Sequence, residues 1–530
     1  MSGVELGAVV VERLLAAGVE EIVVAPGSRN APLAMAAWAA ANAGRVRLHT
    51  RIDERSAGFL ALGLTKVGAR AAVVCTSGTA VANLHPAVLE AAHSAVPVVV
   101  VTADRPARLR ETGANQTTDQ VGIFGRLVTT YDVAAPGDLD ALPWDGVAPL
   151  HVNVQLDVPL VGVAAESSRY AGESPLPVRS SPGEAPTRPH TVMIRPGPRT
   201  VVVAGDDAGP PSRVLAERSG WPLLAEPSSG ARTGENAIRT YRLLLNGPLG
   251  AEIERVVVLG RPTLSRPVTR LLENPDVEVL VVPGAGAWPV RPPGATVLDG
   301  VPDPQPDGTD WLERWKYADR ELGRAVDRLL AGEERLTPYA VAGAVAAALP
   351  PEGLLVVGAS SPVRDLDVMH RPTTVGERRK IVANRGLAGI DGTISTSIGT
   401  ALGRPRSSRV LALMGDVTFL HDQSSLVLGP DEPRPDLTIV VVNDDGGAIF
   451  SMLEQGAPDY AASYERLFGT PHGVDLAALC AATRTPHLRV TSRPELEQAL
   501  ANPNGGIEVV EAVVSRTDRR DLDARMRALV

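Results

Sequence analysis

Residues 411–422 read LALMGDVTFLHD, and residues 438–450 read TIVVVNDDGGAIF. Each starts as an aliphatic, β-branched run and stops at a polar turn, as a buried strand with an abrupt end does. The first stops at Gly415-Asp416; 27 positions after Asp416 the second stops at Asn443-Asp444-Asp445. Two neighbouring strands ending this way set a carboxylate and an amide oxygen side by side. With a free backbone carbonyl, that donor set suits Mg²⁺, which takes few protein ligands and completes its octahedron with water and phosphate oxygens. Gly415, Gly446 and Gly447 admit close backbone approach, and a helix starting there favours a phosphate. Taken singly, Asp416 reads equally well as a helix cap and Asn443-Asp444 as a turn. The pairing after two strands is what argues for a cation.

The same strand-then-turn rhythm extends outward. GLLVVGASS, RRKIVANRG and GIEVVEAVV accompany the pair in the C-terminal part; EEIVVAPGS, RAAVVCTSG, VPVVVVTAD and PLHVNVQLD fill the N-terminal part. Strands alternating with helical stretches indicate an α/β fold built on parallel sheets. A smaller block with TVVVAG, RVVVLG and VEVLVVP lies between these two similar ones. Two Pro-rich stretches without periodicity, AESSRYAGESPLPVRSSPGEAPTRPH and VRPPGATVLDGVPDPQPDG, read as linkers. The expected organisation is a domain over 1–165, a linker over 166–190, a middle domain over 191–308 and a third domain over 309–530, opened by a polar helix from Asp310 to Ala331. In open α/β sheets, ligands gather at strand C-terminal ends, so the loops there are where function is sought.

Composition narrows the class. A chain of 530 residues implies two or three domains. The net charge of −9 argues against nucleic acid or an anionic membrane as the main partner. Cys75 and Cys480 sit in apolar runs and read as core thiols, which fits the cytoplasm. The first twenty residues read as an amphipathic helix and not as a signal peptide, and the most apolar run, AVPVVVVTA, is about half a membrane span.

A further stretch, LHTRIDERSAGFLALGL at 48–64, places Arg51, Asp53, Glu54 and Arg55 before a segment that is apolar almost all round. Such a helix is buried, so one of two acids stands at the mouth of a buried helix. Other candidate sites fail: Ser77 in CTSGTA lacks the Gly two positions before a nucleophile elbow. VVPGAGAWP has too few glycines for a dinucleotide fingerprint, and the nine histidines show no metal-ligand spacing. His421 reads as a local hydrogen-bonding residue.

Gly-Asp, a gap of this length and an Asn closing a strand resemble the motif of thiamine-diphosphate enzymes, although the second Gly of the usual Gly-Asp-Gly and the usual second Asn are missing. Together with APGSRNAPL, DERSAGFLALGL, TSGTAVANLHPAVLEA, TADRPARLRETGANQTTDQ, GASSPVRD, ANRGLAGIDGTISTSIG and FGTPHGVD, the spelling resembles the family of menaquinone-biosynthesis synthases that make 2-succinyl-5-enolpyruvyl-6-hydroxy-3-cyclohexene-1-carboxylate. The likeness runs from residue 22 to about 475. It implies a three-domain α/β thiamine-diphosphate fold, with two similar parallel-sheet domains flanking a smaller Rossmann-like middle domain. The N-terminal domain would bind the pyrimidine and the C-terminal one the diphosphate and metal.

The resemblance also implies roles. Asp416, Asn443 and the carbonyl of Asp445 would hold Mg²⁺, or Mn²⁺ in its place. Ile390, Asp391 and Gly392, with Gly415, Val417 and Thr418, would cradle the diphosphate of thiamine diphosphate. Glu54 matches the acid that hydrogen-bonds the aminopyrimidine, which leaves Asp53 as the helix cap. The reaction implied is decarboxylation of 2-oxoglutarate and conjugate addition of the succinyl carbanion-enamine to isochorismate. Both substrates are dianions, and Arg29, Arg105, Arg266, Arg364 and Arg385 lie in loops after strands, where their planar forks suit carboxylates. Asn115 and Gln116 would add neutral hydrogen bonds, and Ile449 and Phe450 an apolar wall. Such enzymes are homodimers or homotetramers with active sites at the subunit interface. The rival readings are another 2-oxo-acid carboligase or decarboxylase, or a silent cofactor-binding paralogue.

Two departures from the family stand out. Ser361 and Pro362 vary the loop before Arg364. Between RLVTTYDV and APLHVNVQLDVPL the family has a full helix, whereas here AAPGDLDALPWDGV is barely long enough for a parallel crossover. The lost helix is expected to leave a patch of sheet or interface uncovered.

Overall fold

The computed structural model describes residues 2–162 and 192–530; the expected linker at 166–190 lies outside the described residues. Three parallel sheets carry the described residues. The first comprises β1 (Glu21–Val24), β2 (Arg47–Thr50), β3 (Ala71–Cys75), β4 (Val99–Asp104), β5 (Thr130–Val133) and β6 (Leu150–Gln155), in the order β2-β1-β3-β4-β6-β5. The second comprises β7 (Thr200–Ala204), β8 (Leu223–Ala225), β9 (Arg255–Leu259), β10 (Glu278–Val281) and β11 (Thr296–Val297), in the order β11-β10-β9-β7-β8. The third comprises β12 (Leu354–Val357), β13 (Lys380–Val382), β14 (Val410–Gly415), β15 (Leu437–Asn443), β16 (His487–Val490) and β17 (Ile507–Val513), in the order β13-β12-β14-β15-β17-β16. The first and third sheets repeat one strand order, as the matching rhythm of the two blocks implied.

β1, β3, β4, β7, β9 and β12 are buried along their whole length, as strands covered on both faces must be. β11 corrects the reading of the second Pro-rich stretch as a plain linker: Thr296–Val297 pairs with β10 at the sheet edge. Two residues between turn signals carry no legible periodicity, and only an edge tolerates such Pro-rich flanks.

The chain divides into two compact units. One gathers the first sheet with Gly386–Arg406 and His421–Pro435; the other holds the second and third sheets. In the first unit, the helix Glu54–Lys66 is buried continuously from Ser56 to Leu64. It crosses the helix Thr393–Gly403 at two glycines. A Cβ on Gly63 would lie 2.3 Å from the Thr396 carbonyl oxygen, and one on Gly399 would lie 2.4 Å from that of Leu60. The two backbones therefore meet without side chains between them. In the second unit, the helix Trp311–Ala331 buries Trp311, Trp315, Leu322 and Val326 against the second sheet.

The shortened crossover is the other correction. Residues Pro136–Ala141 form a 3₁₀ helix between the parallel neighbours β5 and β6. Leu139 and Leu142 are buried in the core cluster that also takes Val10, Val11 and Leu14 of the first helix, and Trp144 packs on it. The Asp138 carboxylate accepts the N–H groups of Ala134 and Ala135 at 2.8 Å, and the Trp144 indole donates to the Leu139 carbonyl at 3.0 Å. A tight turn with three apolar anchors thus covers the core beside the first helix. Leu139→Ala is expected to destabilise this unit by about 2–5 kcal/mol, seen as a lowered thermal or urea midpoint; an unchanged midpoint would show that the crossover is not a structural cover.

Candidate active site

The candidate cation donors converge at the C-terminal ends of β14 and β15, which pair in parallel. Asp416 follows directly on β14 and is buried. Its Oδ1 accepts the Val417 N–H at 2.7 Å, and its Oδ2 accepts the Gly446 N–H at 2.9 Å, tying the two strand ends together. Burial still pushes this carboxyl above its usual range, against the hydrogen bonds from Gly446, Val417 and His472. Asn443 closes β15, and its Oδ1 accepts the Asp445 N–H at 2.9 Å. Asp445 has φ +56°, and its carbonyl accepts from Arg516 Nη1 at 2.7 Å. Its carboxylate is held below the usual range, first by the Gly473 N–H. Gly446, at φ +143°, is a position for glycine alone: a Cβ there would lie 2.1 Å from the Gly469 carbonyl oxygen.

Between these residues Asp444 is pushed up to about 8, first by burial and then by the charge of Asp416. Its enclosed Oδ1 has no hydrogen-bond partner among the described residues. Beside them opens a cavity of about 570 Å³, lined by Asn443, Asp444, Asp445, His472 and Glu511 among others. Among the described residues no three His, Cys, Asp or Glu side chains form a self-sufficient metal cluster. The donors here are instead a carboxylate, an amide and a carbonyl, all hard oxygens with an enclosed surplus of acid. A divalent cation with oxygen preference fits that chemistry.

The acid at the helix mouth is resolved in the first unit. Asp53 is the N-cap of the helix Glu54–Lys66: its Oδ1 accepts the N–H groups of Arg55 and Ser56, and its Oδ2 takes the Ser424 hydroxyl at 2.8 Å. Glu54 is the first helical residue, half-buried, and accepts from Asn83 Nδ2 at 3.1 Å. Ile390, Asp391 and Gly392 lie in the same unit, where Gly392 caps the helix Thr393–Gly403 at φ +57°. A Cβ there would fall 1.9 Å from the Phe59 ring, so the segment adjoins the helix that carries Glu54. Glu90, buried, fixes the start of this loop by accepting the N–H groups of Gly386 and Leu387 at 2.9 and 2.8 Å. Gly415, Val417 and Thr418 stand with Asp416 in the other unit; the space where a Gly415 Cβ would be is open.

The arginines fall into two groups and one outlier. Arg29 and Arg105 are neighbours in the first unit, and burial and the charge of Arg105 lower the Arg29 pKa. Arg105 Nε donates to the Asn115 carbonyl at 2.9 Å, and Gln116 donates to the Ser77 carbonyl at 2.8 Å, which brings the four predicted residues into one loop cluster. Ser77 donates its own hydroxyl to the Gln116 carbonyl and is a structural residue. Arg364 and Arg385 converge in the second unit. Burial, then Arg385 and Arg242, depress the Arg364 pKa to about 10. Arg266 stands apart: it is exposed and forms a bidentate pair with Glu454 at 2.7 and 3.0 Å. Ile449 is half-buried on the 3₁₀ segment Ala448–Met452, and the Phe450 ring lies 5.9 Å from that of Phe468.

Residues 4–123 match the N-terminal TPP-binding domain of thiamine pyrophosphate enzymes, and residues 367–510 match their C-terminal TPP-binding domain. The chain is 66% identical to a 2-succinyl-5-enolpyruvyl-6-hydroxy-3-cyclohexene-1-carboxylate synthase of a Nocardioides species, over 97% of this chain and 96% of that one. Synthases of the same name from Kineococcus radiotolerans and Saccharopolyspora erythraea are 47% and 42% identical, each over at least 97% of both chains. The chain belongs to the 2-succinyl-5-enolpyruvyl-6-hydroxy-3-cyclohexene-1-carboxylate synthase family. It is thus a member of the thiamine-diphosphate enzymes, with their three-sheet α/β fold and two TPP-binding domains.

Several residues of this synthase-family chain carry no legible signal in the sequence. His472, Arg516 and Asp444 surround the cation donors, yet neither the FGTPHGVD string that holds His472 nor the turn that holds Asp444 singles them out, and Arg516 stands in an ordinary Ser-Arg-Thr loop. Arg242 joins Arg364 and Arg385 from a distant helix. Glu226, buried, accepts the Leu264 N–H at 2.9 Å, next to Thr263, whose hydroxyl takes Arg385 Nη2 at 3.0 Å. Burial pushes the Glu226 carboxyl up to about 8, against the charge of Arg385. Below that pH it is neutral and leaves the guanidinium charge uncancelled. From about pH 4.5 to about 8 the folded protein keeps a proton that the unfolded chain has released, so stability falls as pH rises through that window. Glu226→Gln is expected to flatten this slope, raising Tm near pH 9 but not near pH 5 relative to the native residue; identical pH profiles would show that Glu226 is not its source.

Proposed function

We propose that this chain catalyses thiamine-diphosphate-dependent decarboxylation of 2-oxoglutarate and conjugate addition of the succinyl unit to isochorismate, yielding 2-succinyl-5-enolpyruvyl-6-hydroxy-3-cyclohexene-1-carboxylate and CO₂. The end-to-end identity with synthases of that name carries the reading. Asp416, the Asn443 side chain and the Asp445 carbonyl would hold Mg²⁺ or Mn²⁺, and Ile390, Asp391, Gly392, Gly415, Val417 and Thr418 would cradle the diphosphate. Bound thiamine diphosphate supplies the electron sink that decarboxylation needs.

The protein's own residues do the rest. Glu54, in the first turn of a buried helix, would take and return a proton at its carboxylate, the partner being the aminopyrimidine nitrogen. Asn83 steadies that carboxylate. Arg29 and Arg105 with Asn115 and Gln116 form one anion-binding cluster, and Arg364 and Arg385 form another, matching two dianionic substrates. Guanidinium forks grip carboxylates bidentately, and half-buried pairs of cations attract them more strongly than exposed ones. Ile449 and Phe450 exclude water from the reacting carbons. Arg266, engaged by Glu454, would reach substrate only by releasing that partner. The reading includes a homodimer or homotetramer in the cytoplasm, with each active site shared between copies, and domains bounded near residues 165, 191 and 308.

Purified protein given thiamine diphosphate, Mg²⁺, 2-oxoglutarate and isochorismate is expected to form the succinylated product, detectable by mass. Turnover of pyruvate instead would point to an acetolactate-synthase-like carboligase, and cofactor binding without turnover to a silent paralogue. Glu54→Gln is expected to keep the fold and Mg²⁺-dependent cofactor binding while losing at least about 100-fold in CO₂ release, the scale of lost proton transfer. Near-normal CO₂ release would remove Glu54 from its role.

A further inference from the structure

Asn443 can serve a cation only with its oxygen, and an amide side chain can turn either end outward. The sheet decides which end. In the parallel register Asn443 lies opposite Val513 of β17, two residues beyond Glu511, and Glu511 lies opposite Arg489 of β16, two residues beyond His487. Side chains alternate along strands, so Asn443, Glu511 and His487 share one face and form a diagonal across three neighbouring strands. Asn443 Nδ2 is 2.7 Å from Glu511 Oε1, and Glu511 Oε2 is 2.9 Å from His487 Nε2. Glu511 is buried.

We infer that Glu511, backed by His487, is the positioning residue that aims the Asn443 amide oxygen at the cation; this rests on the cation site proposed above. Asn443 Nδ2 donates to Glu511 Oε1, so the NH₂ end of Asn443 faces Glu511 and Oδ1 faces the loop that carries Asp445. There Oδ1 accepts one N–H, from Asp445, and keeps a second lone pair for a metal. The imidazole donates from Nε2 to the far carboxylate oxygen and keeps Glu511 from swinging away. A carboxylate behind the NH₂ also polarises the amide and makes Oδ1 a stronger donor to a cation, the effect by which outer partners tune metal ligands. The other two oxygens are steadied in the same way. The Val474 N–H donates to His472 Nδ1 at 3.0 Å, which leaves Nε2 to donate to Asp416 Oδ2 at 3.2 Å. Arg516 holds the Asp445 carbonyl and anchors its other Nη on Glu465 at 2.8 Å. The amide alone among the three could turn the wrong end outward, so Glu511 is the residue whose loss should be felt most.

The test is calorimetric titration of Mg²⁺ into apo-protein in excess thiamine diphosphate, for the native chain, Glu511→Met, Glu511→Gln and Asp416→Ala. Glu511→Met is expected to weaken Mg²⁺ binding about 10–100-fold, because the amide is then free to turn. Glu511→Gln is expected to restore it to within about threefold, since the glutamine carbonyl still accepts from Asn443 Nδ2. Native affinity in Glu511→Met overturns the inference. So does equal weakening in Glu511→Gln, which would make charge and not orientation the cause. If Asp416→Ala binds Mg²⁺ normally, the cation site itself is wrong and the inference falls with it; if Asp416→Ala loses Mg²⁺ while Glu511→Met keeps it, only the positioning role fails. Should Glu511→Met not fold, Glu511→Ser, which admits water to both neighbours, takes its place with the same expectations.

Discussion

The crossing of the helices Glu54–Lys66 and Thr393–Gly403 is the constraint on which the first unit depends. Gly63 and Gly399 let the backbones touch, so residues more than three hundred positions apart share one core. Any Cβ at either glycine would strike a carbonyl oxygen. The crossing makes the first helix apolar on all sides, and its polar mouth then has nowhere to go but the sheet's C-terminal edge. There Asp53 satisfies the first free N–H groups of the helix, and Glu54 is left as the half-buried acid beside Asn83. The same crossing draws Ile390 to Gly392 against Phe59. One packing requirement therefore sets both an acid and a glycine-rich loop.

In the second unit the comparable constraint is electrostatic. β14 and β15 are neighbours, so Asp416 and the loop after Asn443 must meet, and they meet through the hydrogen bond from Gly446 to Asp416. Burial raises the pKa of Asp416 and Asp444, because each charged form lacks water, and Asp444 is raised further by the charge of Asp416. An enclosed acid surplus of this kind is costly unless a cation balances it. A cation at the proposed site would offset that cost and would couple the stability of the loop to its binding.

Two clusters gather guanidinium groups on a chain that is acidic as a whole. Guanidinium groups that crowd one another, as Arg364 does with Arg385 and Arg242, destabilise themselves through mutual repulsion and desolvation. An anion bound there relieves both. Glu226, kept neutral by burial below about pH 8, sits close enough to Arg385 to order the Thr263–Leu264 loop without cancelling its charge. Arg266 was legible as one more cation in a strand-end loop, yet exposure and the carboxylate of Glu454 hold it elsewhere; sequence shows a charge but not its partner.

Local pattern by itself determined the strands that end in Asp416 and Asn443, the buried helix after Glu54, the polar helix up to Ala331 and the α/β class, because hydrophobic period and turn residues are local properties. Uncommon strings such as ANRGLAGIDG and FGTPHGVD carried the family. Short edge strands such as β11 stayed invisible, since two residues have no period. The cover over the shortened crossover was missed because Leu139, Leu142 and Trp144 look ordinary until they meet the first helix. Tertiary structure alone decided that Glu511 stands behind Asn443, that His472 and Arg516 brace the other oxygens, and that Arg242 joins Arg364. Those partnerships cross strands and loops at long range, and strand register and burial, not neighbouring residues, determine which polar atoms must satisfy one another.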